Sequence, residues 1–256
     1  VAGGAEDDLI PVFGGGFGEN ALVDGNTTVS IFDGTGNASG SALKVFGGGY
    51  GGTVQGNTTV NIYGENSFIG RVYGGGFEGP VNGNTTVNLD GGTVYDSFGG
   101  ACNANISGYA QTYAGAGLSG ASGLTTILGS IYGGNDFGGR ITGLGDFSSR
   151  LNGADSMVYN PNPSGASVPA VLMASSYVEY QQGNVADYIF GGNCGSYNYT
   201  ELAHEHVDPY LVGSFVHIRP LDKVDNAVDK VFGAGRGYSG TSEQANHQDQ
   251  MQDRSY

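Results

Sequence analysis

Basic residues are scarce in this chain. Nine lysines and arginines stand against 24 acidic residues, a formal net charge of −15. That balance excludes nucleic acid and anionic membrane surfaces as partners, because both are held through lysine and arginine patches. Long apolar runs are also missing, so no membrane insertion is expected. No signal peptide is visible and the first residue is Val1, which reads as a piece of a longer polypeptide or assembly. Proline is limited to seven residues, and helical periodicity is absent at any useful length. The nearest approach, Asp222 to Val231, reads as a turn and a strand. Two cysteines are too few for a disulfide scaffold and lack the spacing of a metal site.

Glycine is what the chain has instead. Fifty glycines are roughly three times average usage, without the Gly-X-Y period of collagen. Hydrophobic residues make up 38% and fall in short β-rich runs, which is not the profile of disorder. Many short strands separated by tight corners suit this composition.

The glycines follow a repeat. An aromatic-Gly core recurs at Phe13, Phe46, Tyr73, Phe98, Tyr132, Phe190 and Phe232, preceded by Val or Ile everywhere except at Ser97. A second motif accompanies three early copies: Gly25 to Ile31, Gly56 to Ile62 and Gly83 to Leu89, each reading Gly-Asn-Thr-Thr-Val. Alternation at period two points Val29, Val60 and Val87 inward and Thr28, Thr59 and Thr86 outward, as in half-buried strands. Later counterparts are expected at Thr125–Leu128, Ser176–Tyr180 and Ser214–Ile218. A period carried by glycines and β-branched residues marks a solenoid.

Equivalent strands of successive copies would lie parallel, and crossover chirality favours one hand. The expected fold is therefore all-β, a right-handed parallel β-helix of about seven rungs with corner insertions. It spans residues 1–237 as one domain, with regular rungs over 12–101 and irregular, inserted rungs over 102–237. Residues 238–256 read as a polar tail or the start of a further segment. The Asn at 26, 57 and 84 is expected to form a corner ladder. Cys102 and Cys194 hold the same place two rungs apart, roughly 9–10 Å, too far to bridge, so both read as free, partly buried thiols.

Val-Tyr-Gly-Gly-Gly followed by Gly-Asn-Thr-Thr-Val-Asn resembles the glycine-rich repeats of large secreted or cell-surface proteins of Bacteroidales-type bacteria. The resemblance covers residues 12–101 well and the rest loosely. It implies a right-handed β-helix, an extracellular or cell-surface location and an adhesin-like or scaffolding role. It carries no catalytic motif.

Three constellations carry chemistry. Stacking places Phe46, Tyr73, Phe98, Tyr132, Phe190 and Phe232 on one line. A second line four residues on runs Phe17, Tyr50, Phe77, Cys102, Asp136, Cys194 and Arg236. An aromatic ladder of this kind, with Tyr50 and Phe77 beside it, either binds sugar rings or serves as packing. His204, His206 and Asp208 have the side chains of a metal site, against which stands a solvated loop. Asp136, Asp146, Asp155, Asp187 and Asp208, near Arg140, Arg150, Arg219 and Lys223, supply acids for sugar hydrolysis, although no motif singles out a pair. No cofactor is expected beyond adventitious calcium at residues such as Asp33, Asp136 and Asp146; the turn at Gly15–Asn20 only loosely resembles a calcium turn. The sequence thus points to a non-enzymatic surface segment contacting a glycan or a host or bacterial surface protein. The alternatives are a polysaccharide lyase or glycoside hydrolase on the same fold, and a purely structural spacer.

Overall fold

The computed structural model describes residues 10–33, 40–115, 124–150, 172–195, 209–219, 227–236 and 254–255. These residues are all-β; the one α- or 3-10-helical element among them is a 3-10 turn at Ser148–Arg150. The strands are β1 (Val12–Phe13), β2 (Leu22–Val23), β3 (Thr27–Ile31), β4 (Ala42–Phe46), β5 (Thr53–Val54), β6 (Thr58–Ile62) and β7 (Phe68–Tyr73). They continue as β8 (Thr85–Leu89), β9 (Thr93–Phe98), β10 (Ala110–Ala114), β11 (Thr126–Ile127), β12 (Ile131–Tyr132), β13 (Arg140–Ile141) and β14 (Gly145–Asp146). The rest are β15 (Met173–Ala174), β16 (Ser176–Tyr180), β17 (Asn184–Phe190), β18 (Tyr210–Leu211), β19 (Gly213–Ile218), β20 (Ala227–Phe232) and β21 (Arg254–Ser255).

Two long parallel sheets collect most of them. One runs β1, β4, β7, β9, then β11 and β12 side by side in sequence, then β17 and β20. Its register aligns Phe13, Phe46, Tyr73, Phe98, Tyr132, Phe190 and Phe232 in a single column. The other runs β3, β6, β8, β10, β16, β19 and β21. A third, narrow face aligns Val23, Val54, Val81, Ile106, Ile141 and Leu211. The chain visits these faces repeatedly in one order, so each strand pairs with its counterpart in the neighbouring copy. The single antiparallel strand pair among the described residues is β14 with β15, which closes the base of the insertion after Asp146.

The core lies between the long sheets. Val45, Val72, Ile131 and Ile189 from one meet Val60, Ile62, Val87, Leu89 and Val178 from the other. Ser97 occupies the same inward column as Val72 and Ile131, and its buried hydroxyl has no hydrogen-bond partner. An unpaired buried hydroxyl costs about 1–3 kcal/mol, so Ser97→Val is expected to stabilise the protein by about 1 kcal/mol or more in a denaturant titration. A lower midpoint would show that the column has no room for the second methyl.

The two sequence motifs are coupled through their first threonine. Oγ of Thr27, Thr58 and Thr85 points inward and donates to the carbonyls of Gly47, Gly74 and Gly99, at 2.5 to 2.6 Å. Ser176 and Ser214 repeat the bond to Gly191 and Gly233. Each hydroxyl thus satisfies the carbonyl of the first glycine in the aromatic-Gly corner that follows it. The asparagine ladder differs in detail from its expected form. Oδ1 of Asn26 accepts from the backbone N–H of Asn57, and Oδ1 of Asn57 from that of Asn84, both at 2.8 Å, so amide meets backbone at this corner. Amide-to-amide contact occurs on the outer face, where Asn88 Nδ2 donates to Asn61 Oδ1 at 2.8 Å.

One local expectation is corrected. Thr126–Ile127 does not join the sheet of Thr58–Ile62; it pairs with Thr93–Val94 and Asn184–Val185 in the aromatic sheet. The place predicted for it is taken by Ala110–Ala114, which lacks the threonine signature. Within residues 238–256, expected as a polar tail or the start of a further segment, Arg254–Ser255 pairs with Gly213–Ser214. Part of the Asp222–Val231 expectation is observed as the strand Ala227–Phe232.

Candidate functional site

The aromatic sheet carries its chemistry on the face turned away from the core. Repeats such as residues 94–98 follow an in–out–out–in–out pattern, with Val94 inward, Tyr95 and Asp96 outward, Ser97 inward and Phe98 outward. Residues 127–132 and 185–190 carry one residue more between the inward positions. The outward rings stack at 4.6 to 5.1 Å with nearly parallel planes, from Phe13 through Phe46, Tyr73, Phe98, Tyr132 and Phe190 to Phe232. The second column stacks Phe17 on Tyr50 and Tyr50 on Phe77, at 4.9 and 5.0 Å. Ring edges meet faces between the columns, Phe46 against Phe77 at 5.9 Å. Offset and edge-to-face pairs of this kind add about 0.5–1.5 kcal/mol each beyond burial.

Of the eight residues the ladder reading names, Phe46, Tyr73, Phe98, Tyr132, Phe190 and Phe77 are buried. Tyr50 is 36% and Phe232 43% exposed. Rings above and below cover the faces of the buried members, so solvent reaches these eight mainly at Tyr50 and Phe232. Tyr95, which sequence reasoning did not single out, projects from the same face at 51% exposure.

From the fourth copy the second column turns polar. Backbone hydrogen bonds align Phe77, Cys102, Asp136, Cys194 and Arg236 in order. The change in the second column is matched in the first. Tyr73 and Tyr132 stand where the neighbouring copy supplies Cys102 and Cys194, and Phe46 stands where it supplies Phe77. The small cysteine leaves room for a phenol oxygen that a facing ring would not. Tyr73 donates to Asp136 Oδ2 at 2.8 Å, and Arg236 Nη1 donates to Tyr132 Oη at 3.3 Å. Arg71 bridges two acids: Nε lies 3.7 Å from Asp96 Oδ2 and Nη1 3.7 Å from Asp136 Oδ2. Burial pushes the Asp96 carboxyl above the usual range, although the Ser130 N–H and Arg71 pull it down. The arrangement is an acid pair around one guanidinium, with Asp136 sealed beneath Tyr73.

Both cysteines are free and buried, more completely than expected. Burial, with Asp136 beside it, pushes the Cys194 thiol up to about 12, and the same two causes push Cys102 higher still. Thiolate is the reactive form, so folded protein is expected to label with a maleimide at pH 8 at least about a hundredfold more slowly than the unfolded chain. Fast labelling before unfolding would place the sulfurs at the surface.

A second cluster, also missed from sequence, occupies the outer face of the other long sheet. Early copies present Thr28, Thr59 and Thr86 there; β16 and β19 present Tyr177 and Phe215, with Glu179 and His217 in the next column. Buried Glu179 accepts from Tyr177 Oη at 3.0 Å and from Gln181 Nε2, and Arg150 Nη1 lies 3.6 Å away. His217 Nδ1 is 3.1 Å from the Tyr177 hydroxyl. Burial first, then Glu179, raises the Tyr177 phenol, which therefore stays protonated. Phe147 stacks on Tyr177 at 4.3 Å and packs with Leu172, so the network anchors both ends of the insertion to the sheet.

His204, His206 and Asp208 lie outside the described residues, as do Asp155 and Lys223. Among the described residues, no three His, Cys, Asp or Glu side chains gather as a metal site requires. Asp33 accepts from Asn66 and Ser67, and Asp146 from the Ser148 N–H; the Ser148 hydroxyl first, then that N–H, hold the Asp146 carboxyl below the usual range. No helix among the described residues is long and apolar enough to cross a membrane. Compared with known proteins, the chain matches no family model, no curated protein and no solved structure.

Proposed function

We propose that the paired sheets are the faces of a right-handed parallel β-helix of about seven rungs, and that the chain is a non-enzymatic segment of an extracellular surface protein. In this reading it is an adhesin-like stalk that holds its outer faces and corner insertions toward a glycan or a surface protein. The observation that carries it is where the side chains are spent. Aromatic rings, inward hydroxyls and asparagine amides all tie one copy to the next, which stiffens a rod. The experiment is a panel of microbial, plant and mucin polysaccharides, scored for retention of the protein and for release of new sugar ends. Retention without release, weakened by Tyr50→Ala or Tyr95→Ala, is the expected result. Absence of retention across the panel leaves a spacer in place of an adhesin.

A second reading has its own observation, the acids Asp96 and Asp136 gathered on Arg71. Burial raises the carboxyl of Asp96, and two acids set apart by their surroundings are what glycoside hydrolysis uses. New sugar ends that vanish in Asp96→Asn would make the chain a polysaccharide-degrading enzyme and overturn the stalk.

A further inference from the structure

We propose that copies of this chain associate head to tail, the β1–β3 edge of one receiving the β19–β20 edge of the next. The partner is a second copy, and the proposal does not depend on the surface role.

Both edges carry the motif that joins neighbouring copies within the chain. Val12-Phe13 lies at one edge of the aromatic sheet and Val231-Phe232 at the other, and between them every junction sets ring on ring. Apolar side chains are left exposed at both edges: Phe17 at 80% and Phe32 at 59% on the first, Val231 and Phe232 at 43% on the last.

The hydrogen-bond columns say what would meet. Arg236 follows Cys194 in the column that begins with Phe17, since its N–H donates to Asn193 O as the Cys194 N–H donates to Asn135 O. Arg219 follows Gln181 in the column that begins with Phe32 and Tyr63, its N–H donating to Tyr180 O. Carrying both columns into a second copy sets Arg236 over Phe17 and Arg219 over Phe32. Guanidinium over an exposed ring is attractive.

Charge agrees with this geometry. Residues 10–33 contain Glu19, Asp24 and Asp33 and no lysine or arginine. The described residues from 209 to 236 contain Arg219, Lys230 and Arg236 against Asp229. In a chain of net charge −15, the described residues of the first edge carry only acids and those of the last edge carry a surplus of bases. Opposite edges steer association, and an interface between different surfaces that continues the stacking direction of the sheets leaves a free edge at each end, so copies add into a rod. Association exchanges the two-residue pairing of β19 with β21 for pairing with the five-residue β3 of the incoming copy.

The test is sedimentation and negative-stain microscopy of the whole chain across about two decades of concentration. Rods that lengthen with concentration are expected, with association weakened about tenfold between about 0.05 and 0.5 M NaCl. Phe17→Lys and Arg236→Glu are each expected to stay monomeric, the first because it sets two cations against each other and the second because it sets a carboxylate over a ring face. Mixed one to one, they are expected to give alternating rods, because Arg236 of the first variant meets Phe17 of the second and the introduced carboxylate of the second meets the introduced ammonium of the first. A wild type that stays monomeric overturns the proposal, as does a dimer that neither substitution affects, or a mixture that stays monomeric. Thermal melts confirm that each variant is folded, and Phe32→Lys with Arg219→Glu replaces either one that is not.

Discussion

Gly74→Ala is expected to abolish cooperative folding or to cost about 3 kcal/mol or more, read from the denaturant midpoint. A methyl on Gly74 would point into the core, well inside van der Waals contact with the Gly99 carbonyl oxygen and against Cβ of Thr85. The first of these neighbours is backbone, which cannot swing aside as a long side chain can. The Thr85 hydroxyl donates to that same carbonyl, so the methyl also breaks the tie between the two motifs. Gly25→Ala is the control, because a methyl there meets nothing within 4 Å. That change is expected to stay within about 0.5 kcal/mol. Equal, small effects at both positions would mean that neighbouring corners are not packed backbone to backbone.

Tyr73→Ala is expected to cost about 3–5 kcal/mol, the range for removing a fully buried ring. Tyr73 is fully buried, with Phe46 stacked at 4.6 Å on one face and Phe98 at 4.8 Å on the other. Its hydroxyl also supplies a donor to buried Asp136. Tyr73→Phe separates the two contributions. It keeps the stack and loses a hydrogen bond to a charged group, which is worth about 1.5–3 kcal/mol. A phenylalanine variant as stable as the wild type would assign Asp136 wholly to Arg71 and its other partners. An alanine variant no worse than phenylalanine would remove the stack from the account of stability.

Much of this architecture was legible because glycine and β-branched residues mark positions that no other residue fills as well. The aromatic-Gly motif located every strand of the ladder column, since a ring followed by a small corner residue recurs wherever the chain turns. The second column was equally legible, four residues on, although its change from Phe77 to Cys102, Asp136 and Cys194 carried no obvious meaning in one dimension. That meaning needed the neighbour. Tyr73 is tyrosine rather than phenylalanine because the facing position in the next copy is a cysteine, and the sequence separates the two by a whole repeat.

Thr126–Ile127 misled for the opposite reason. Two β-branched residues before an aromatic-Gly copy suit either long sheet, and only the pairing with Thr93–Val94 decides between them. Glu179 and His217 read as outward residues on short strands. What gathers them with Tyr177 and Arg150 is an insertion folding back over the sheet, which local alternation does not encode.

The ladders have a consequence for how such a chain can change over generations. Thr58 satisfies Gly74, Thr85 satisfies Gly99, and Asn57 serves Asn84, each debt settled by the adjacent copy in an identical way. A duplicated repeat therefore arrives with its own donors and acceptors already matched to both neighbours, and a deleted one leaves none stranded. Length can drift by whole repeats while single substitutions at Gly74 or Thr85 are refused. In the inserted copies after Cys102, where Ala110 stands in the threonine column and Asp136 in the ring column, that interchangeability is lost. Those copies are tied to their place in the order, and variation there has to proceed one residue at a time.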